Sequence, residues 1–291
     1  MSVPLKQLTV GAPAKVNLHL EVLDKREDGF HNLESVFFAL DFGDTLYFEL
    51  IEGKNTAEIA MEGLNFDLPA EKNIIFKALS LFREKTGFDG GLKIRVEKRI
   101  PPGGGLGGGS SDAAAALLAL NRIAGSPLDR AVLLKTACAL GSDVPFFIYE
   151  TGVAMVTGRG DQIKPFQAPC LFFVLVNPGF PSDTAAAFRL LDEYRDRLGK
   201  PQTEVRRRGE VTATPADWSF WNDFLPVFGE REKAVYDSII ARLRELGADF
   251  SGLSGAGSTC FGVFRERELA QRAAAALRGV WNFVEVCGTR C

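Results

Sequence analysis

Between Gly103 and Gly109 six of seven residues are glycine, in the run Pro101-Pro102-Gly103-Gly104-Gly105-Leu106-Gly107-Gly108-Gly109-Ser110-Ser111-Asp112. Glycine has no Cβ, so such a run enters left-handed conformations and lets several backbone N–H groups converge on one guest. Residues 92–100 alternate apolar and charged side chains with a period of two, which predicts a half-exposed strand before the run. Residues 113–120 are apolar and alanine-rich and predict a helix after it. Ser110, Ser111 and Asp112 are the expected helix start, because their side-chain oxygens accept unpaired N–H groups. Strand, glycine loop and helix N-terminus in that order form an anion site, and phosphate is the expected guest. The alternative is a plain glycine turn and a capped helix, but a tight turn does not need six glycines.

Three common nucleotide signatures fail in their context. No Gly-Lys-Ser or Gly-Lys-Thr closes the run, which excludes a P-loop. Gly103, Gly105 and Gly108 satisfy Gly-x-Gly-x-x-Gly, yet residues 127–140 read as a second helix where a dinucleotide fold needs a strand. Asp41-Phe42-Gly43 imitates the protein-kinase metal motif, but it comes too early and no His-Arg-Asp precedes it, so it reads as a turn between two strands.

The 291 residues, 46% hydrophobic and 24% charged, are those of an ordinary globular protein with room for two domains. A net charge of -3 argues against a nucleic-acid partner, and Arg206-Arg207-Arg208, without flanking aromatics, reads as a solvated loop. No apolar run is long enough to cross a bilayer and no charged head with an apolar block opens the chain, so no membrane partner and a cytoplasmic location are expected. Cys138, Cys170, Cys260, Cys287 and Cys291 are odd in number and lack metal-type spacing; they read as reduced thiols, mostly in the core. The two histidines argue against a structural zinc site.

Alternation over 14–23 places Lys15, Asn17, His19 and Glu21 on one face of a strand. Further strands are expected at 33–40, 45–51 and 57–61, a helix at 73–85, and a strand at 152–157 after the helices that follow the glycine loop. Beyond the turn cluster Gly158-Arg159-Gly160-Asp161, a candidate domain border, come a strand at 170–177, a helix at 183–198 opened by Ser182 or Asp183, and a helix at 229–246. Strands at 250–254, 259–264 and 280–286 and a helix at 266–277 complete an α+β pattern, with 200–217 as a polar surface loop.

Residues 101–111 resemble the second motif of the GHMP kinases, the small-molecule kinases that include galactokinase, homoserine kinase, mevalonate kinase and phosphomevalonate kinase. Pro13-Ala14-Lys15-Val16-Asn17-Leu18 near the start and Gly252-Leu253-Ser254-Gly255-Ala256-Gly257-Ser258 near the end fit the same resemblance. Asp28-Gly29-Phe30-His31, Lys98-Arg99-Ile100-Pro101, Gly141-Ser142-Asp143-Val144-Pro145-Phe146-Phe147 and the segment 184–188 narrow it to the branch that phosphorylates the C2 hydroxyl of a cytidine-diphosphate-linked methylerythritol in isoprenoid precursor synthesis. The resemblance implies an N-terminal ATP-binding domain over 1–160, ribosomal-protein-S5-like, and a ferredoxin-like C-terminal domain over 161–291.

It also implies residue roles. Phosphoryl transfer to an alcohol needs held phosphates, neutralised charge and an aimed hydroxyl. ATP is the implied donor, held by Pro101, Pro102, Gly103, Gly104, Gly105, Leu106, Gly107, Gly108, Gly109, Ser110 and Ser111, with Asn73 and Lys98 near the adenine. Mg2+ is implied between the phosphates, with Ser110 or Ser111 as its contact. From its position alone Asp143 either caps the next element or accepts a proton, and Lys15 on a strand face is ordinarily solvent-facing; the resemblance makes Asp143 the base and Lys15 the charge stabiliser beside it. Asn17, His31, Asp143 and Thr184 are the implied contacts of the small-molecule acceptor, with Phe30 and Phe188 clamping its cytosine. Tyrosine often stands at the Phe30 position, and both Phe30 and Phe188 have an alternative reading as plain core residues, Phe188 within the helical row 185–191. A homoserine- or mevalonate-type kinase is the rival reading, and a binding-only member is expected to have lost Lys15 or Asp143. Oligomeric state is not legible.

Overall fold

A computed structural model describes residues 6–64, 73–198 and 209–290; Arg206-Arg207-Arg208, Cys291 and much of the 200–217 loop lie outside the described residues. By contacts the chain forms two compact units, one of residues 1–14, 43–102 and 107–150, the other of residues 15–42, 103–106 and 151–291.

In the first unit, β2 (His31–Lys54) contributes its second half, which pairs antiparallel with β4 (Gly90–Lys98), Phe48 opposite Ile94. Strand β3 (Ala57–Gly63) lies parallel to β4 on its other side. Helix α1 (Ile74–Thr86) starts where the Asn73 side chain accepts from Ile75 N and ends at left-handed Gly87. It buries Ile75, Ala78, Leu79 and Phe82, and packs on α2 (Gly108–Ile123). Alanines 113–116 are all buried, so α2 is a thin rod contacted by α1, by α3 (Arg130–Leu140) and by α4 (Val144–Ile148).

The sequence pattern misplaces one turn. Asp41-Phe42-Gly43 is not a turn between two strands but lies inside the continuous 24-residue β2. A Cβ on Gly43 would sit 2.3 Å from Ala12 O, in the strand β1 (Gln7–Lys25), so the glycine permits a close backbone approach rather than a reversal.

In the second unit the first half of β2 pairs with β5 (Val153–Thr157), and β5 with β6 (Gln162–Pro165). The cluster 158–161 is the turn of that hairpin, with Gly160 N bonded to Thr157 O at 3.2 Å. A four-stranded antiparallel sheet follows, ordered β10 (Phe283–Gly288), β7 (Phe172–Asn177), β9 (Cys260–Phe264), β8 (Phe250–Leu253). With α5 (Thr184–Leu198), α6 (Glu230–Glu245) and α7 (Arg267–Leu277) inserted, its strand order is that of the split β-α-β-β-α-β plait. Val174, Val176, Tyr236, Ile239, Leu243, Phe264, Ala270 and Leu277 form its core. No described helix is long and apolar enough to cross a membrane.

The cysteine expectation is corrected at one position: Cys170, on an exposed loop, is disulfide-bonded, whereas Cys260 and Cys287 are buried thiols whose pKa burial pushes up. Proximity in space decides pairing, and spacing along the chain does not reveal it.

Candidate active site

The helix after the glycine run begins earlier than its sequence suggests. Gly107 is the N-cap of α2, left-handed at φ 69°, and no side chain caps the helix. Ser110, Ser111 and Asp112 are therefore not caps; they lie inside the first turns, where Ser111 N already bonds Gly107 O at 2.9 Å. The amides of Gly108, Gly109 and Ser110 are thus left at the N-terminal end of the helix dipole, the arrangement that binds phosphate. Ser111 is 1% exposed and its hydroxyl has no hydrogen-bond partner among the described residues.

The other part of the run, in the second unit, is stitched down. Gly103 O accepts from Ser182 N, Gly104 O from Thr259 N, Gly105 O from the Ser254 hydroxyl and Leu106 O from Lys15 N, all at 2.9–3.1 Å. The glycines at 252–257 pack against this segment: Gly255 and Gly257 both approach Gly105.

Lys98, expected near the adenine, donates to Asp112 Oδ2 at 2.6 Å and to Asp44 Oδ2, all three side chains being buried. Asp44 Oδ1 also accepts from Arg99 N and Ile100 N, so one carboxylate fixes the backbone leading into the glycine run. Burial pushes the Asp112 carboxyl up and Asp44 adds to that, while Lys98 opposes it; the two carboxylates in turn outweigh burial and raise Lys98. Lys98→Met strands two buried carboxylates against each other, and denaturant titration is expected to show a loss of about 3–5 kcal/mol. Asn73, the other adenine candidate, spends its side chain on the α1 cap and on Met61 Sδ.

Lys15 is 3% exposed rather than solvent-facing, because strand β1 is covered on both faces here. Its Nζ donates to Asn17 Oδ1 at 2.6 Å and lies 4.6 Å from the Phe37 ring centroid. The Asn17 amide donates to Ser35 Oγ at 2.9 Å, which fixes its flip and aims its oxygen at the lysine. Next on this face, His19 stands edge-on to Trp221, and the donor atoms of His19, Glu21 and Glu34 lie within 4.8 Å of one another. Asp143 occupies the N-cap position of α4, half-buried, but its carboxylate does not cap that helix.

The acceptor candidates cluster around α5. Asp183 caps it, accepting from Ala185 N and Ala186 N, which leaves Thr184 exposed in its first turn. The His31 ring stacks on Phe188, centroids 5.2 Å apart at 14°, and Phe188 meets Phe224 edge-on. Phe30 is 50% exposed, with the Arg159 guanidinium 5.1 Å from its centroid. Sequence reasoning passed over Asp192, which binds His31 and Lys25; its position four residues after Phe188, on the same helix face, was the available signal.

Comparison with known proteins identifies the family. The family described as GHMP kinases N terminal domain matches residues 73–151, and that described as GHMP kinases C terminal matches 216–282. A 4-diphosphocytidyl-2-C-methyl-D-erythritol kinase of Thermodesulfovibrio yellowstonii is 36% identical over 284 residues, covering 94% of this chain and 95% of that protein. This chain belongs to the 4-diphosphocytidyl-2-C-methyl-D-erythritol kinase family. The crystal structure of a family kinase superposes with a TM-score of 0.80 at 34% identity, covering 97% of this chain and 98% of its own. L. major mevalonate kinase superposes at 0.71 with 16% identity and shares the fold. The fold is the two-domain GHMP kinase fold of mixed α and β content.

Proposed function

We propose that this family member transfers the γ-phosphoryl group of ATP to the C2 hydroxyl of 4-diphosphocytidyl-2-C-methyl-D-erythritol. The observation that carries the reading is 36% identity to a kinase of that name over nearly the whole of both chains. The uncapped first-turn amides of α2 suit the ATP phosphates. Asp143 takes the hydroxyl proton as the C2 oxygen bonds to the γ-phosphorus, the bond to the β-phosphate oxygen breaks, and ADP leaves. Lys15, oriented by Asn17, offsets the charge that builds on the transferred group. Asn73 and Lys98, whose polar atoms have internal partners, serve as walls of the adenine site and not as donors to it.

Mg2+ supplies charge neutralisation at the phosphates when bound, and Ser111, a buried hydroxyl oxygen without a hydrogen-bond partner among the described residues, suits a hard cation, with Ser110 beside it. The acceptor is proposed to contact Asn17, His31 and Thr184, with Phe30 and Phe188 flanking the cytosine; the exposed Phe30 ring has room to stack. ADP production measured with the cytidine-linked alcohol, mevalonate and homoserine tests the assignment. Turnover is expected with the first alone, and turnover with either of the others but not the first overturns it.

A further inference from the structure

His31 and Asp192 form a unit that the reaction chemistry does not require. Asp192 Oδ1 lies 2.8 Å from His31 Nε2, and Asp192 Oδ2 lies 2.7 Å from Lys25 Nζ. Burial alone would raise the Asp192 carboxyl, but its interactions with Lys25 and His31 outweigh it and hold the group below its ordinary value. An ionised carboxylate only accepts, so Nε2 carries the hydrogen. Nδ1 has no hydrogen-bond partner among the described residues. The ring cannot turn to exchange its two nitrogens freely, because it is 7% exposed and stacked on Phe188, which Phe224 braces edge-on at 4.9 Å.

We propose that Asp192 is a positioning residue for base selection: by holding the Nε2 hydrogen of His31 it leaves Nδ1 as an acceptor, matched to a pyrimidine that presents an amino group and mismatched to one that presents a carbonyl. The inference rests on the cytidine reading of the acceptor site. Cytosine offers an exocyclic amino donor at the position where uracil offers an oxygen, and two facing acceptors leave both unsatisfied on binding. Lys25 holds the other Asp192 oxygen, which fixes the carboxylate beside His31.

Calorimetric titration with cytidine diphosphate and uridine diphosphate tests it on the full chain. The unaltered protein is expected to bind the cytidine nucleotide about tenfold or more tightly, the ratio to collapse toward unity in Asp192→Ala, and Asp192→Asn, which keeps an acceptor oxygen, to restore part of it. With the cytidine-linked acceptor, KM is expected to rise further than kcat falls. Imidazole 15N spectra of the unaltered protein give a reading independent of any variant: His31 is expected in its Nε2–H form. A spectrum showing the Nδ1–H form, or an Asp192→Ala protein that keeps the full preference, overturns the proposal. Failure of the underlying reading looks different: the unaltered protein then shows no preference for the cytidine nucleotide and turns over another alcohol.

Discussion

Asp143→Asn is expected to lower kcat by roughly 10²- to 10⁴-fold, the range that a positioned general base contributes, while affinity for a nonhydrolysable ATP analogue changes little. The substitution keeps the shape of the side chain and removes its capacity to take a proton. The competing explanation, that the residue caps a helix, has an observable consequence in stability instead. Asp143 sits at the N-cap of α4 with φ -83° and ψ -13°, makes no capping hydrogen bond, and is followed by Pro145, whose ring already favours the start of that short helix. Loss of a cap of this kind costs under about 1 kcal/mol. Single-turnover phosphoryl transfer and denaturant titration on the same variant therefore separate the two roles. Near-normal turnover would remove Asp143 from the chemistry.

What could be read in the chain, and what could not, follows from the range of the forces involved. Alternation in β1 was legible because a strand's period is local; that Lys15 and Asn17 are buried was not, since it depends on what covers the second face. The strand, loop and helix order around the glycine run was likewise visible. Its division of labour was not: Gly105 serves packing against 252–257, Gly107 serves the helix cap, and Ser110 to Asp112 lose the capping role that their residue types favour. Capping preference is a weak local bias, and the buried pair of Asp112 with Lys98 outweighs it. Asp41-Phe42-Gly43 illustrates the same limit, for a glycine inside a strand reads as a reversal until the neighbouring Ala12 backbone is known. Asp192 was hidden among the charged residues of an amphipathic helix, and only its distances to His31 and Lys25 set it apart.

Gly105→Ala is expected to destabilise the second unit by roughly 3–5 kcal/mol, measured by denaturant titration, and to reduce turnover with it. Two costs combine at this position. Gly105 has φ +74°, and a residue with a Cβ held there costs on the order of 1–3 kcal/mol. The added methyl would also lie 2.1 Å from Ser254 O and 2.8 Å from Gly257 O, both backbone atoms that no rotamer change can move. Relief requires the 103–106 segment to retreat, which breaks the Ser254 hydroxyl bond to Gly105 O and strains the Lys15 N bond to Leu106 O. A displaced segment would then disturb Lys15 as well as the loop. Gly109→Ala is the control within the same run, because a Cβ there meets nothing closer than Ile74 at 4.0 Å and lies in a helix, where alanine is favoured over glycine by up to about 1 kcal/mol. If both variants unfold alike, or if Gly105→Ala is as stable as the unaltered protein, close backbone packing is not what the glycine at 105 provides.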